Sequence, residues 1–253
     1  MSKTAIIIPC YNESRRLDIK SYHQFLKENQ DIDIYFLDDG STDKTFFLIK
    51  DLNKEFTNCF SFSNKINLGK ANITRLGIQK ALNEKNYDYI GFFDADLATP
   101  LNEIFRFIRI FEKNKNLILV MGCRILRSGA NIERNSYRHY FSRILVTIIN
   151  LYLNIKFYDT QAGAKIFKAS YVKNLFLDSF LSNWLFDIEI ILRIKEQNPS
   201  LNIYKGIYEL PLNSWVEKKG SKIKIIDILT IPFNLIKIKY RYKKKIFFKK
   251  MTK

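Results

Sequence analysis

The sequence predicts an α/β fold with a mostly parallel central sheet and helices on both faces. Three observations predict this fold class. Strand-like apolar runs and helical patterns alternate four times in the first hundred residues, which implies right-handed crossovers between parallel strands. Two of the runs end abruptly in pairs of acids, Asp38-Asp39 and Asp94-Ala95-Asp96. The length of 253 residues is sufficient for one large domain with a full core.

Turn and cap residues divide the first half of the chain into its elements. Strands are predicted at Ala5–Ile8, Ile32–Leu37, Phe60–Ser63, Tyr89–Asp94 and Leu117–Cys123. Apolar residues at helical spacing predict helices at Leu17–Leu26, from Thr45, at Ile73–Leu82 and at Pro100–Phe111. Gly40 permits a tight turn after the first acidic pair, and Ser41 or Asp43 can cap the helix that follows.

The second half is less regular. Arg127–Arg138 is predicted to be a polar loop, and Trp184–Ile194 and Leu201–Leu210 are predicted to be a helix and a strand. Between them, Phe141–Phe157 has apolar residues at helical spacing, including Ile144, Ile148 and Ile149. Such a helix packs its apolar stripe against the core or against a membrane, and both alternatives stay open.

The composition points to an anionic partner surface. The formal net charge is +17, and nine of the 42 basic residues lie in the last eighteen positions, which contain no acid. A basic stretch of this kind suits an anionic membrane, a solvated tail or nucleic acid. The three scattered cysteines form no metal-ligand spacing and no disulfide framework, which favours a cytoplasmic protein. No apolar run is long enough for a spanning helix, so membrane association is expected to be peripheral.

The two acidic pairs are the strongest indication of a functional site. Ligands of open α/β sheets bind beyond the carboxyl ends of the strands, and both pairs follow a strand there. Carboxylates spaced like Asp94 and Asp96 can share a Mg²⁺ or Mn²⁺ ion that also binds phosphate. Four acids near one point need a cation or basic groups to offset their repulsion. The pattern therefore predicts a metal-dependent sugar-nucleotide site.

Other common site types are excluded by the motifs. No Gly-x-Gly-x-x-Gly follows the first strand, and there is no Walker loop, so a dehydrogenase and a P-loop NTPase are excluded. No Gly-x-Ser-x-Gly elbow is present. His23 and His139 are too few and too far apart for a histidine metal site.

Several motifs together resemble the inverting family 2 glycosyltransferases, which have the GT-A fold. In the first half these are Pro9-Cys10-Tyr11-Asn12-Glu13, Asp38-Asp39-Gly40-Ser41-Thr42-Asp43, Asn67-Leu68-Gly69-Lys70 and Asp94-Ala95-Asp96. The second half resembles the dolichyl-phosphate or polyprenyl-phosphate glucosyltransferase branch, through Gly122-Cys123-Arg124, Asp159-Thr160-Gln161-Ala162-Gly163-Ala164-Lys165, Phe186-Asp187-Ile188-Glu189, Trp215-Val216-Glu217 and Gly220-Ser221-Lys222. Ala98 stands where mannose synthases often have a metal-contacting polar residue, which favours the glucosyl branch.

The resemblance implies a role for each motif residue. The nucleotide-sugar would be bound by Pro9, Tyr11, Glu13, Asp38, Asp39, Lys70 and Asp94. Asp94 and Asp96 would hold the divalent cation, Mg²⁺ or Mn²⁺, on the donor diphosphate. Arg124 and Lys165 would contact phosphate, Arg124 as a catalytic residue, and Gln161 would shape the sugar or acceptor pocket.

The acceptor decides whether a general base is needed. A lipid phosphate is already an anionic nucleophile at neutral pH, whereas a sugar hydroxyl must lose its proton to a carboxylate. Asp187 is the first candidate for that base and Glu189 the second; the alternative for both is an ion pair with a neighbour such as Arg193. The predicted reaction is transfer of glucose from UDP-glucose to a polyprenyl phosphate, and the alternative acceptor is a saccharide hydroxyl in a surface glycan.

The domain prediction follows the motifs. Residues 1–225 are expected to form the GT-A domain, and residues 226–253 a basic amphipathic extension. Aromatic residues interleaved with lysines suit the surface of an anionic membrane at its cytoplasmic face. Nucleic acid is not an expected partner, and the sequence does not indicate the oligomeric state.

Overall fold

A computed structural model describes residues 2–134, 136–218 and 230–242. The predicted Gly220-Ser221-Lys222 motif and the part of the basic tail after residue 242 lie outside the described residues. Within the described ranges, the α/β fold class is confirmed.

A seven-stranded sheet forms the centre of the domain, in the order β3-β2-β1-β4-β7-β5-β8. Its strands are β1 (Thr4–Cys10), β2 (Ile32–Asp39), β3 (Cys59–Asn64), β4 (Tyr89–Phe93), β5 (Leu119–Cys123), β7 (Ala164–Lys168) and β8 (Ile207–Pro211). Every pairing is parallel except those of β7, which runs antiparallel to β4 and β5. The mostly parallel sheet that the alternation predicts is therefore confirmed.

The helices cover both faces of this sheet. They are α1 (Ile19–Glu28), α2 (Thr45–Glu55), α3 (Lys70–Glu84), α4 (Glu103–Lys113), α5 (Ser136–Leu153), α6 (Ala169–Leu175), α7 (Phe186–Gln197), α8 (Ile203–Gly206) and α9 (230–242). Because side chains alternate along a strand, β1 sends Ile7 to one core cluster and Ile6 and Ile8 to the other. The first cluster packs against α3, α5, α6, α7 and α9, and the second against α1, α2 and α4.

Two stretches of the second half differ from the sequence prediction. The expected polar loop at 127–138 contains β6 (Asn131–Glu133), which pairs in parallel with β9 (Ser214–Val216), and the first turn of α5. The strand expected from Leu201 begins only at Ile207, after the short α8. In both places a partner distant in sequence decides the structure, and local patterning does not contain that information.

Helix α9 packs on the domain through one side. Ile231, Leu235, Ile238 and Tyr242 are buried, and all four belong to the same core cluster as α7. The Tyr242 hydroxyl donates to Glu189 Oε1 at 2.9 Å and accepts from Arg193 Nε at 3.1 Å. The division predicted at residue 225 stays a prediction, but α9 shares the core of the domain that precedes it.

We expect Tyr242→Phe to lower the free energy of unfolding by about 1–2 kcal/mol, because it removes one donor from a buried carboxylate that stays in place. Chemical denaturation monitored by circular dichroism measures the change. Tyr208→Phe is the control, since the Tyr208 side chain is 41% exposed on β8. Equal effects of the two substitutions would contradict a structural role for the Tyr242 hydroxyl.

Among the helices in the described ranges, none combines the length and the apolar character that a membrane span requires.

Candidate active site

The two acidic pairs lie at the same edge of the sheet. Asp38 and Asp39 are the last residues of β2, and Asp94 follows directly after β4. Strand β1 lies between them and is parallel to both, so the carboxyl ends of all three strands meet at this edge.

Asp39 is held by the loop that precedes α3. Its two carboxylate oxygens accept from the backbone N–H groups of Leu68 and Gly69, each at 2.8 Å. Burial raises the pKa of Asp39, and the two N–H donors offset part of that effect. Gly69 has a φ of +81°, and a Cβ there would lie 2.3 Å from the Asn183 amide nitrogen. The backbone angle therefore favours glycine at this position, and a larger residue would also displace the Asn183 side chain.

Hydrogen bonds join the first two loops of the site. The Asn12 backbone N–H donates to Ser41 Oγ at 2.9 Å, and Asn12 Oδ1 accepts from the Thr42 N–H at 2.8 Å. The N–H of Glu13 donates to Thr45 Oγ1 at 2.7 Å. Asp38 accepts from Ser63 Oγ at 2.9 Å. The loop after β1, with Tyr11 and Glu13, and the loop after the first acidic pair thus form one wall of the site, and Pro9 at the end of β1 adjoins it.

Asp94 lies against Lys70 and Gly163. Lys70 Nζ donates to Asp94 Oδ1 at 2.5 Å. Desolvation of the ammonium group opposes its charge, but the carboxylates of Asp94 and Asp187 outweigh this effect and raise the pKa of Lys70. Residues 67–70 therefore connect the first acidic pair to the second.

Asp96 is paired with Arg16, which the sequence reasoning missed. The guanidinium donates to Asp96 Oδ2, and its Nε lies 3.5 Å from Glu13 Oε2. The buried Tyr22 hydroxyl donates to the Ala95 carbonyl at 3.1 Å and supports the turn between the two acids. Arg16 and Lys70 supply the positive charge that offsets the repulsion between the neighbouring acids. No local signal in the sequence assigns Arg16 to an acid 80 residues away.

Arg124 forms a bidentate ion pair with Asp159. Its Nε and Nη2 atoms lie 2.7 Å from the two Asp159 oxygens, and its guanidinium stacks 5.1 Å from the Trp215 ring centroid. Burial alone would raise the pKa of Asp159, but Arg124 outweighs it and lowers that pKa to about 2. Glu209 on β8 accepts from the Tyr158 and Asp159 backbone N–H groups and fixes this turn. Asp159 belongs to a recognised motif, although its partner could not be assigned from the sequence.

We expect Asp159→Asn to lower the free energy of unfolding by about 2 kcal/mol at neutral pH, because Arg124 loses its charged partner. The folded-state pKa lies below the ordinary value of 3.8, so the stabilisation is complete above that value and is lost as the pH falls towards about 2. Urea denaturation of both proteins across this pH range measures the difference. A difference that stayed constant down to the lowest pH would contradict the ion-pair explanation.

Lys165 and Asp187 form a second ion pair, which is more deeply buried. Lys165 is the second residue of β7 and is fully buried, and its Nζ lies 2.7 Å from Asp187 Oδ1 and 2.7 Å from the Ala162 carbonyl oxygen. Asp187 is in the first turn of α7 and 6% exposed. The structure therefore brings the predicted phosphate contact and the predicted base together.

Glu189 takes part in a structural network. It accepts from Arg193 Nη2 at 2.9 Å, from Tyr242 and from the Leu181 backbone N–H. This is the ion-pair alternative that the sequence left open for Glu189. Asp187 is the remaining candidate base.

Gln161 has a polar atom available for a ligand. Its Nε2 is buried and has no hydrogen-bond partner within the described part of the chain. Buried amide groups in native proteins are normally satisfied, so the geometry suits a bound hydroxyl or phosphate oxygen at this position.

Gly163 leaves no space beside Asp94. A Cβ at this position would lie 1.8 Å from Asp94 Oδ2, which forces a displacement of that carboxylate. We expect Gly163→Ala to reduce the predicted sugar-transfer activity about a hundredfold with little loss of stability. Gly129→Ala is the control for activity: a Cβ there meets no atom within 4 Å, and because its φ of +76° favours glycine, the variant should lose some stability but no activity. Steady-state kinetics and thermal unfolding measure the two effects, and full activity of Gly163→Ala would show that the Asp94 position is not critical.

Comparison with known proteins agrees with this geometry. Residues 5–176 match the family described as Glycosyl transferase family 2. The chain is similar to a dolichyl-phosphate beta-glucosyltransferase of Trichomonas vaginalis, with 28% identity over 92% of this chain and 72% of that protein. It is also similar to the dolichyl-phosphate beta-glucosyltransferase of Dictyostelium discoideum, with 27% identity over 94% of this chain and 74% of that protein.

The fold is similar to that of glucosyl-3-phosphoglycerate synthase from Mycobacterium tuberculosis, solved in complex with Mn²⁺, UDP and glucosyl-3-phosphoglycerate. The TM-score is 0.65 at 15% identity, over 94% of this chain and 80% of that one. The GT-A fold that the sequence predicts is thereby confirmed. With the family match over more than half of its length, the chain belongs to glycosyl transferase family 2 and is a glycosyltransferase.

Proposed function

We propose that this enzyme transfers glucose from UDP-glucose to a dolichyl or polyprenyl phosphate, with inversion and with a divalent cation at the donor diphosphate. The similar proteins from Trichomonas vaginalis and Dictyostelium discoideum support the acceptor and the sugar. The UDP and Mn²⁺ of the similar crystal structure support the nucleotide and the cation class.

The donor would bind along the wall formed by the first two loops. Pro9, Tyr11 and Glu13 would contact the nucleoside together with Asp38 and Asp39, whose carboxylates are already oriented by backbone and hydroxyl donors. Lys70 would contact the diphosphate, because its raised pKa keeps it positively charged.

The residues present fit a Mg²⁺ or Mn²⁺ ion. Asp94 and Asp96, whose charges Lys70 and Arg16 offset in this structure, would hold it. No group of three or more histidine, cysteine or acidic ligands occurs in the described ranges, so the chain would supply this pair of carboxylates. Such a pair suits a cation that takes its other ligands from the donor phosphates and water. When bound, the cation stabilises negative charge on the departing nucleoside diphosphate.

The observation that carries the lipid-phosphate acceptor is the engagement of Asp187 with a buried lysine. A phosphate oxygen attacks the anomeric carbon without a base, and the bond from that carbon to the diphosphate oxygen breaks on the opposite face. Lys165, Arg124 and Lys70 would offset the repulsion between the two anionic substrates. Gln161 would bind a sugar hydroxyl or a phosphate oxygen through its unsatisfied amide.

A second candidate is transfer to a saccharide hydroxyl. Asp187 favours it, because a carboxylate at the site could take the hydroxyl proton. Asp187→Asn by itself does not separate the two reactions, since it also removes the partner of Lys165.

We propose a peripheral location on the cytoplasmic face of a membrane. A lipid-phosphate acceptor requires access to a bilayer, and the basic residues after position 236 favour one with anionic lipids. Nucleic acid is disfavoured as a partner, because the positive net charge is the one feature that supports it.

Product formation with a short polyprenyl phosphate tests the proposal. The purified protein is incubated with Mg²⁺ or Mn²⁺ and with radiolabelled UDP-glucose, UDP-galactose, UDP-N-acetylglucosamine or GDP-mannose. We expect a chloroform-soluble product from UDP-glucose alone. If every donor leaves the lipid unlabelled while UDP still binds in a metal-dependent manner, the acceptor is a saccharide hydroxyl instead.

A further inference from the structure

Helix α5 has apolar side chains on two opposite sides. Val146 and Ile149 are buried in the domain, whereas Ile144, Ile148 and Leu151 are 62%, 52% and 79% exposed. The three exposed residues are spaced four and three positions apart, so they form one stripe along the outer side of the helix. An exposed aliphatic stripe of this kind marks a contact surface.

Helix α9 repeats this arrangement. Its inner side is buried in the core, and on its outer side Phe233 and Ile236 are 60% and 57% exposed. Lys237 Nζ lies 4.5 Å from the centre of the Phe233 ring, so a cation accompanies the apolar residues. Aromatic, aliphatic and basic residues together are typical of helices that lie in a membrane interface.

The two helices are neighbours. Lys239 Nζ of α9 lies 3.8 Å from the ring centre of Tyr152, the residue after Leu151 on α5. Both helices also contribute to the same core cluster. The stripes are therefore carried by adjacent helices that share one core cluster.

Charge identifies the occupant of this surface. Neither α5 nor α9 contains an acidic residue, and the eleven residues after α9 add six lysines and no acid. A second copy of this chain would bring a face of the same charge, which disfavours a homodimer there. Anionic lipid headgroups provide both the opposite charge and an apolar layer for the exposed side chains.

The surface is also connected to the active site. Asn150 of α5 donates to the Phe157 carbonyl at 2.6 Å, and Arg143 donates to the Tyr158 carbonyl. These carbonyls directly precede Asp159, which pairs with Arg124. Contact of α5 with a bilayer would thus hold the Arg124–Asp159 pair near the level of the lipid phosphates.

We infer that Ile144, Ile148, Leu151, Phe233 and Ile236 form one surface that docks the domain onto an anionic lipid bilayer. This inference rests on the proposed lipid-phosphate acceptor and adds the face of the domain that meets the membrane. It concerns the described helices, separately from the basic residues after position 242.

Vesicle flotation of the full chain tests this docking surface. Vesicles of phosphatidylcholine, with or without phosphatidylglycerol, contain neither acceptor nor donor. Ile144→Gln/Ile148→Gln/Leu151→Gln is compared with wild type at low and high salt. We expect the partition coefficient on anionic vesicles to fall about tenfold or more, because three apolar side chains no longer enter the interface. High salt should remove the remaining binding of the variant and only part of that of wild type, since salt screens the basic tail.

Phe47→Gln is the matched control, because this side chain is 68% exposed on α2, which packs on the second core cluster, away from α5 and α9. It should bind vesicles like wild type. Unchanged binding of the triple variant would overturn the inference. If the wild type is a dimer, the triple variant is a monomer and both bind vesicles equally, the occupant of the surface is a second copy of the chain. That result would also overturn the inference.

Transfer to a short polyprenyl phosphate in detergent separates this inference from the proposed function. The triple variant should retain wild-type activity there, since the exposed stripe is outside the active site. If the wild type labels the polyprenyl phosphate but does not bind vesicles, the docking surface is wrong and the proposed acceptor stands. If the wild type binds vesicles but no donor labels the polyprenyl phosphate, the proposed lipid-phosphate acceptor is wrong and the docking surface stands.

Discussion

Asp96→Asn is expected to reduce sugar transfer about a thousandfold or more. The substitution removes a charged oxygen ligand from the pair that would hold the divalent cation, and with it the stabilisation of the leaving diphosphate. The fold should persist, because the asparagine amide oxygen can still accept from the Ala98 backbone N–H, as Asp96 Oδ1 does at 3.1 Å. Initial rates with radiolabelled donor and thermal unfolding measure the two quantities.

Asp88→Asn is the matched control for this experiment. Asp88 is an exposed carboxylate that precedes β4, at the opposite end of the strand from the site, and it accepts from the Lys3 backbone N–H at 2.9 Å. It should retain wild-type activity. If Asp96→Asn keeps more than about a tenth of the wild-type rate, its carboxylate is not a required metal ligand.

Lys165→Met is expected to lower the free energy of unfolding by about 3 kcal/mol and to reduce transfer about a hundredfold. The substitution removes the cation that pairs with the Asp187 carboxylate, and Asp187 is only 6% exposed, so water compensates little of the loss. Urea denaturation and steady-state kinetics measure the two losses. If Lys165 contacts the acceptor phosphate, the KM for polyprenyl phosphate rises; if it positions Asp187, kcat falls at constant KM.

A double variant separates the structural and functional parts of this effect. Lys165→Met/Asp187→Asn should recover most of the lost stability, since no buried charge remains, but it should not recover activity. Lys168→Met is the control, because this lysine is on the same strand and its side chain donates to the Lys115 carbonyl, at 3.2 Å, and not to a carboxylate of the described residues. Wild-type stability of Lys165→Met would show that Asp187 finds other compensation.

The fold was largely predictable because its first half is built from local patterns. Strands β1, β2 and β4 are runs of buried apolar residues that end at Pro9-Cys10 or at acids, and each is followed by turn and cap residues. The pairing of β6 with β9 and the insertion of β7 between β4 and β5 were not predictable. Contacts between residues that are far apart in sequence decide both features.

The sequence by itself determined the two acidic pairs, their place at one sheet edge and the family that they indicate. The tertiary structure decided which group offsets each charge: Arg16 pairs with Asp96, Asp159 with Arg124, and Lys165 with Asp187. It also decided that Glu189 is part of a structural network and that one stripe of α5 is exposed. Charge pairing and burial depend on distances in the folded chain, and residue type and spacing do not encode them without the fold.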